Sequence, residues 1–193
     1  MDKSHPFFLI YSEFLNSRKI NIENFTFNLS EYLYIPDSII DERYNFKLLG
    51  NEFNEEKIGE IISNLPENRE LAFHSIIQIK GKTFHFPFID FAISPNDWDF
   101  KTDLVRLKRV IPNIEKELVI FNSGRSLHGY SIKLLTPKEW VNFMGRLLLV
   151  DLANSDKKLI DSRWVGHRLI GGYGSLRWSN NSGNYLLEPK RIT

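Results

Sequence analysis

The sequence predicts a mixed α+β domain, and three observations carry that prediction. Apolar residues alternate along some stretches, such as 71–79, and recur at helical spacing along others, such as Trp140, Phe143, Met144, Leu147 and Leu148. Helix-start signals recur between the alternating stretches, the clearest being Thr136-Pro137-Lys138-Glu139, a capping box with proline at the first helical position. No internal repeat and no Pro-, Gly- or Ser-rich linker divides the 193 residues, so helices and strands interleave in one domain. A hydrophobic content of 42%, with 13% aromatic residues, suffices for a sizeable core and excludes a disordered chain.

Taken in order, Phe7, Phe8, Tyr11, Phe14 and Leu15 fall at roughly helical spacing, and Phe25–Leu29 alternates as a short strand. Asn54 caps a predicted helix over residues 55–64, with Ile58, Ile61, Ile62 and Leu65 as its apolar face and Pro66 beyond its end. Residues 71–79 and 83–93 predict two strands joined by the turn Lys80-Gly81-Lys82. A helix follows over residues 101–111, stopped by Pro112. Leu118–Phe121 predicts a strand entering a polar turn, and the alternating run 130–135 predicts the strand leaving it. The capping box opens a helix over residues 137–151; a short strand then leads into Asp161, which with Ser162 is a candidate cap for the next helix. Gly171-Gly172 ends that helix, and residues 173–179 predict a last strand.

The absence of cysteine excludes a disulfide framework and a thiolate zinc site. The N-terminal stretch has no signal-peptide pattern and no run approaches the ~20 apolar residues of a membrane span, so a cytoplasmic protein without membrane partners is expected. Charge is unevenly placed: residues 1–122 hold 14 Lys/Arg against 19 Asp/Glu, whereas residues 123–193 hold 11 against 5. A basic C-terminal third favours a phosphate-bearing partner.

Within that third, the turn Asn122-Ser123-Gly124-Arg125-Ser126-Leu127-His128 concentrates hydroxyls, a guanidinium and an imidazole, and Ser126 and His128 share a face of an extended chain. Such a set suits an oxyanion: Ser123, Arg125, Ser126 and His128 are candidate phosphate ligands. Asp90 is the one charge in the apolar run 84–93, where a carboxylate is costly unless paired or bound to a cation. Asp161 stands at the end of another apolar stretch, and Arg163, His167, Arg168 and Arg177 follow within a short span. Two separated carboxylates beside a phosphate cradle suit a divalent ion, Mg²⁺ or Mn²⁺, holding a nucleoside triphosphate.

The order carboxylate, Ser-x-His, carboxylate, arginine resembles the archaeo-eukaryotic primase superfamily. Phe88-Ile89-Asp90-Phe91-Ala92 is similar to its motif I, Ser126-Leu127-His128 to motif II and Ile160-Asp161 to motif III, while Leu176-Arg177 resembles the following basic strand. The resemblance covers about residues 71–187. It implies an RRM-like catalytic sheet flanked by helices beside a smaller α/β unit, with residues 1–70 as an N-terminal α/β portion and 71–187 as the motif-bearing core of a single primase-like domain. It further implies Asp90 and Asp161 as metal ligands, with His128 beside them as catalytic residues. Ser123, Arg125, Ser126, His128 and Arg177 would bind phosphate, and Arg163, Arg168 and Lys133 nucleic acid. The implied partners are nucleoside triphosphates, a DNA or RNA template, and a helicase or other replication subunit.

One position departs from the pattern: the second acid of motif I is Ala92. In two-metal phosphoryl transfer the paired carboxylates bridge both ions, and a methyl group ligates neither. Asp97 and Asp99 are the nearest acids that could fold back to replace it. Three readings follow: a primase-polymerase-like domain for template-directed nucleotidyl transfer; a catalytically inactive primase-like subunit that binds nucleic acid or a partner; and a metal-dependent hydrolase or nuclease built on Asp90, His128 and Asp161.

Overall fold

The computed structural model describes residues 1–15, 21–35, 42–151 and 156–192. Two antiparallel sheets organise the fold, one with strand order β2-β1-β3-β4 and β8 also on β3, the other with order β5-β7-β6-β9. The first holds β1 (Phe25–Leu33), β2 (Arg43–Leu49), β3 (Arg69–Ile79), β4 (Lys82–His85) and β8 (Ser175–Arg177). The second holds β5 (Phe88–Asp90), β6 (Val119–Asn122), β7 (Leu127–Tyr130) and β9 (Lys190–Arg191). The long β3 accommodates two partners on one side, β4 along Ile76–Ile79 and β8 along Ala72–His74.

The helices are α1 (Pro6–Phe8) running into a π-helical turn (Leu9–Leu15), α2 (Glu55–Ser63), α3 (Phe100–Val110), α4 (Pro137–Leu147) and α5 (Ser162–Gly171). The caps expected at Asn54 and Asp161 form, accepting from the Lys57 N–H at 2.8 Å and the Trp164 N–H at 2.9 Å, and Asp99, not anticipated as a cap, accepts from the Lys101 N–H at 2.8 Å. Thr136 and Glu139 close the capping box of α4 reciprocally. No described helix is long and apolar enough to cross a membrane.

Two apolar clusters fill the molecule. The first joins the N-terminal helical segment and the apolar face of the large sheet to Phe86, Phe88, Phe121 and Tyr130; the second joins Ile89, Phe91, Ile120 and Leu127 to α3, α4 and α5. The second sheet is therefore the partition between them, and successive residues of β5, β6 and β7 enter opposite clusters. Gly129 keeps that partition thin, because a Cβ there would come within 2.9 Å of Leu118 Cδ1 and Phe91 Cε2.

Three expectations required correction. The predicted strand over residues 83–93 is two strands in different sheets, β4 and β5. Pro87, which has no N–H to give a ladder, stands at the break. The strand predicted over residues 130–135 instead ends at Tyr130. Both partner strands stop at that level, β6 beginning at Val119 and β5 at Phe88 after Pro87, and past it the segment meets His85 through an isolated bridge at Leu135. Helix α4 stops at Leu147 rather than running to residue 151, which leaves Leu148 outside the buried stripe and 44% exposed.

Candidate active site

Register explains how distant motifs meet. In the antiparallel pair of β5 and β7, Asp90 lies directly opposite His128. Directly opposed residues project to the same side of a sheet, and His128 Nε2 stands 3.9 Å from Asp90 Oδ1. Asp161 is delivered by a separate contact. Phe91 and Ile160 form an isolated antiparallel bridge, the Ala92 N–H donates to the Leu159 carbonyl at 3.0 Å, and the Asp161 N–H donates to the Asp90 carbonyl at 3.0 Å.

A network that sequence reasoning missed holds that bridge in place. The Asp151 carboxylate accepts from the Leu159 N–H at 2.9 Å, the Ile160 N–H at 3.0 Å and Arg106 Nη2 at 2.6 Å. Arg106 and Lys157 both pair with the buried Asp103, at 3.6 and 2.9 Å. No local motif marks these residues, because they come from α3, the stretch after α4 and the segment before Asp161.

The Ser-x-His turn is closed by its own serines and by a glycine. The Ser123 N–H donates to the Ser126 carbonyl at 3.0 Å, the Ser123 hydroxyl to the same carbonyl at 2.9 Å, and Gly124 has φ +108°. Ser123 is thus committed to the turn, whereas Arg125 at its tip is exposed and makes no hydrogen bond or ion pair among the described residues.

Arg177 is 4% exposed and reaches from β8 across to this turn. Its Nη2 donates to the Ser123 carbonyl at 2.5 Å and the Leu187 carbonyl at 3.1 Å, its Nη1 to the Ser179 carbonyl, and its guanidinium lies 3.9 Å from the Tyr185 ring centroid. The arginine is a buckle joining the large sheet, the Ser-x-His turn and the C-terminal segment. Its charge also acts on the floor of the site.

These residues line one cleft of about 550 Å³, which gathers Asp90, Ala92, Ser123, Arg125, Ser126, His128, Asp161, Arg163, Arg168 and Arg177. Lys133 is the exception, paired with Glu117 at 3.1 Å beside a different groove. The cleft also contains His167 and Trp164, and a group not foreseen from sequence: Tyr32, Tyr34, Asn184 and Tyr185. Trp178 lies outside the cleft, fully buried and stacked on Phe73 with centroids 4.2 Å apart. His85 is also buried elsewhere, against Ser75 and Trp140.

The electrostatics of the floor are strained. Burial first, then the neighbouring Asp161 charge, push the Asp90 carboxyl well above the usual carboxylate range, with Arg177 and Arg168 opposing. Burial, aided by the Arg177 charge, holds His128 well below its ordinary value, so the imidazole is neutral, and its buried Nδ1 has no hydrogen-bond partner among the described residues. Two carboxylates driven together are hard oxygen donors suited to Mg²⁺ or Mn²⁺. No set of three Asp, Glu, His or Cys capable of holding a metal assembles among the described residues, so such an ion would complete its shell with ligand oxygens.

Neither acid near Ala92 replaces the missing carboxylate. Asp97 accepts from the Ser94 hydroxyl at 2.7 Å, Asp99 caps α3, and neither lines the cleft.

No curated protein and no solved structure matches the chain significantly. The family model described as archaeo-eukaryotic primase 1D-like matches residues 49–190, which contain every motif residue brought into the cleft. On that match and this geometry, the chain belongs to the archaeo-eukaryotic primase-like family.

Proposed function

We propose that the cleft binds a nucleoside triphosphate through a single divalent ion, Mg²⁺ or Mn²⁺, shared by Asp90 and Asp161, in a primase-like domain that also engages nucleic acid. The observation that carries this reading is the convergence of Asp90, His128 and Asp161 on a floor bordered by Arg125, Arg163, Arg168 and Arg177. The ion would neutralise phosphate charge and relieve the repulsion between the two aspartates. Arg125 supplies a guanidinium with no partner among the described residues to displace, and Ser126 and the turn position it. Arg177, its donors already on carbonyls, contributes charge and alignment rather than a free fork.

Ala92 distinguishes binding from turnover. A two-metal transfer needs a bridging acid at this point, so the site as built favours nucleotide binding over efficient nucleotidyl transfer. Priming on a DNA or RNA template, and association with a helicase or another replication subunit, would follow from the family.

Titration of the protein with Mn²⁺ and nucleoside triphosphate, followed by primer extension, tests the reading. Asp90→Asn and Asp161→Asn should each weaken metal-dependent nucleotide binding at least tenfold. Ala92→Asp, at an exposed cleft position, should raise primer extension above the wild-type level. Binding indifferent to both asparagine substitutions would refute the proposal.

A further inference from the structure

The cleft has two chemically distinct linings. Cations come from the Ser-x-His turn, α5 and β8; apart from Trp164 on α5, a group of tyrosines comes from the end of β1 and the C-terminal segment. Tyr34 is 38% exposed and Ile35 41% exposed, apolar surface beside charged groups that suit phosphate. The aromatic lining is built firmly. Tyr32 and Tyr185 share a hydrogen bond between their hydroxyls at 3.0 Å, Arg177 covers the Tyr185 ring, and the Tyr34 ring leans on Tyr185 with centroids 5.4 Å apart at 50°.

The segment carrying Tyr185 is anchored by a buried carboxylate. Glu70 accepts from the Asn181 N–H at 3.0 Å, the Ser182 N–H at 2.8 Å and the Ser182 hydroxyl at 2.7 Å, and also from the Ser179 hydroxyl. Asn184 follows directly, lines the cleft, and its side-chain amide makes no hydrogen bond among the described residues.

Resting on the nucleotide reading above, we infer that Tyr34, supported by Tyr185, with Asn184 beside it, forms the subsite for the nucleobase of the bound nucleoside triphosphate. A flat π-face half open to the cleft, rigidly backed, accepts any base by stacking. An amide with donor and acceptor both available can hydrogen-bond a base edge. Tripolyphosphate carries the phosphates without a base, so base affinity separates experimentally from phosphate affinity.

The test compares binding of ATP, UTP and inorganic tripolyphosphate in the presence of Mn²⁺, for wild type, Tyr34→Ala, Tyr34→Phe and Asn184→Ala. Tyr34 is exposed, so its variants should fold. Wild type should prefer both nucleotides over tripolyphosphate. Tyr34→Ala should weaken nucleotide binding roughly tenfold while leaving tripolyphosphate binding unchanged. Tyr34→Phe should retain wild-type affinity, because the stacking face survives. Asn184→Ala should lower affinity for ATP and UTP unequally. If tripolyphosphate binds but Tyr34→Ala leaves the nucleotide preference intact, the subsite is refuted and the phosphate reading stands. If neither nucleotide nor tripolyphosphate binds wild type, both are refuted.

Discussion

Replacing Arg177 by lysine separates a structural buckle from a phosphate ligand. The side chain is 4% exposed and donates to the carbonyls of Ser123, Ser179 and Leu187 while covering the Tyr185 ring. Lysine keeps the charge, but its single ammonium lacks the planar fork that spans three carbonyls. Hydrogen bonds to charged groups are each worth about 1.5–3 kcal/mol, and losing two of the three predicts about 3–6 kcal/mol of destabilisation. For a chain of this size that is a fall of about 6–24 °C in Tm. Guanidinium and thermal unfolding of wild type and Arg177→Lys would measure it, alongside nucleotide affinity below the transition. A loss under about 1 kcal/mol, combined with a large loss of nucleotide affinity, would refute the buckle and make Arg177 a direct phosphate ligand.

Two further predictions concern stability. Burial lowers both His5 and His85 to about 4 from an ordinary 6.5. The unfolded chain therefore takes up protons first, so stability should be full above pH 6.5 and fall as pH drops towards 4, by up to about 1.4 kcal/mol per pH unit for each histidine. Urea midpoints at pH 7 and pH 5 should show this, and His85→Gln should remove that histidine's share while His5 and His128 keep the rest; a pH-independent midpoint would contradict the burial argument. Gly129→Ala should cost about 1–3 kcal/mol, since the added methyl meets Leu118 and Phe91 in a filled partition. Denaturant unfolding would read that loss, and an unchanged midpoint would show that the two side chains yield freely.

Much of this protein was legible in local sequence, because local physics decides it. The caps at Asn54, Thr136 and Asp161 place helix starts, the glycine at position 124 marks the turn, and an isolated aspartate in an apolar run announces a site. The order of Asp90, Ser126, His128, Asp161 and Arg177 conveyed the family. Only the tertiary structure set Asp90 against His128, since that depends on the pairing register of β5 and β7 rather than on either strand alone. Likewise Asp151, Glu70 and the tyrosine wall bring together residues far apart in the chain, and their roles arise from contacts that no short pattern encodes. The break at Pro87 joins the two levels: proline's missing N–H interrupts the strand, but the fold decides that the chain resumes in another sheet. Sequence determined which groups the site contains; long-range pairing determined that they meet, and that no acid among the described residues meets them at Ala92.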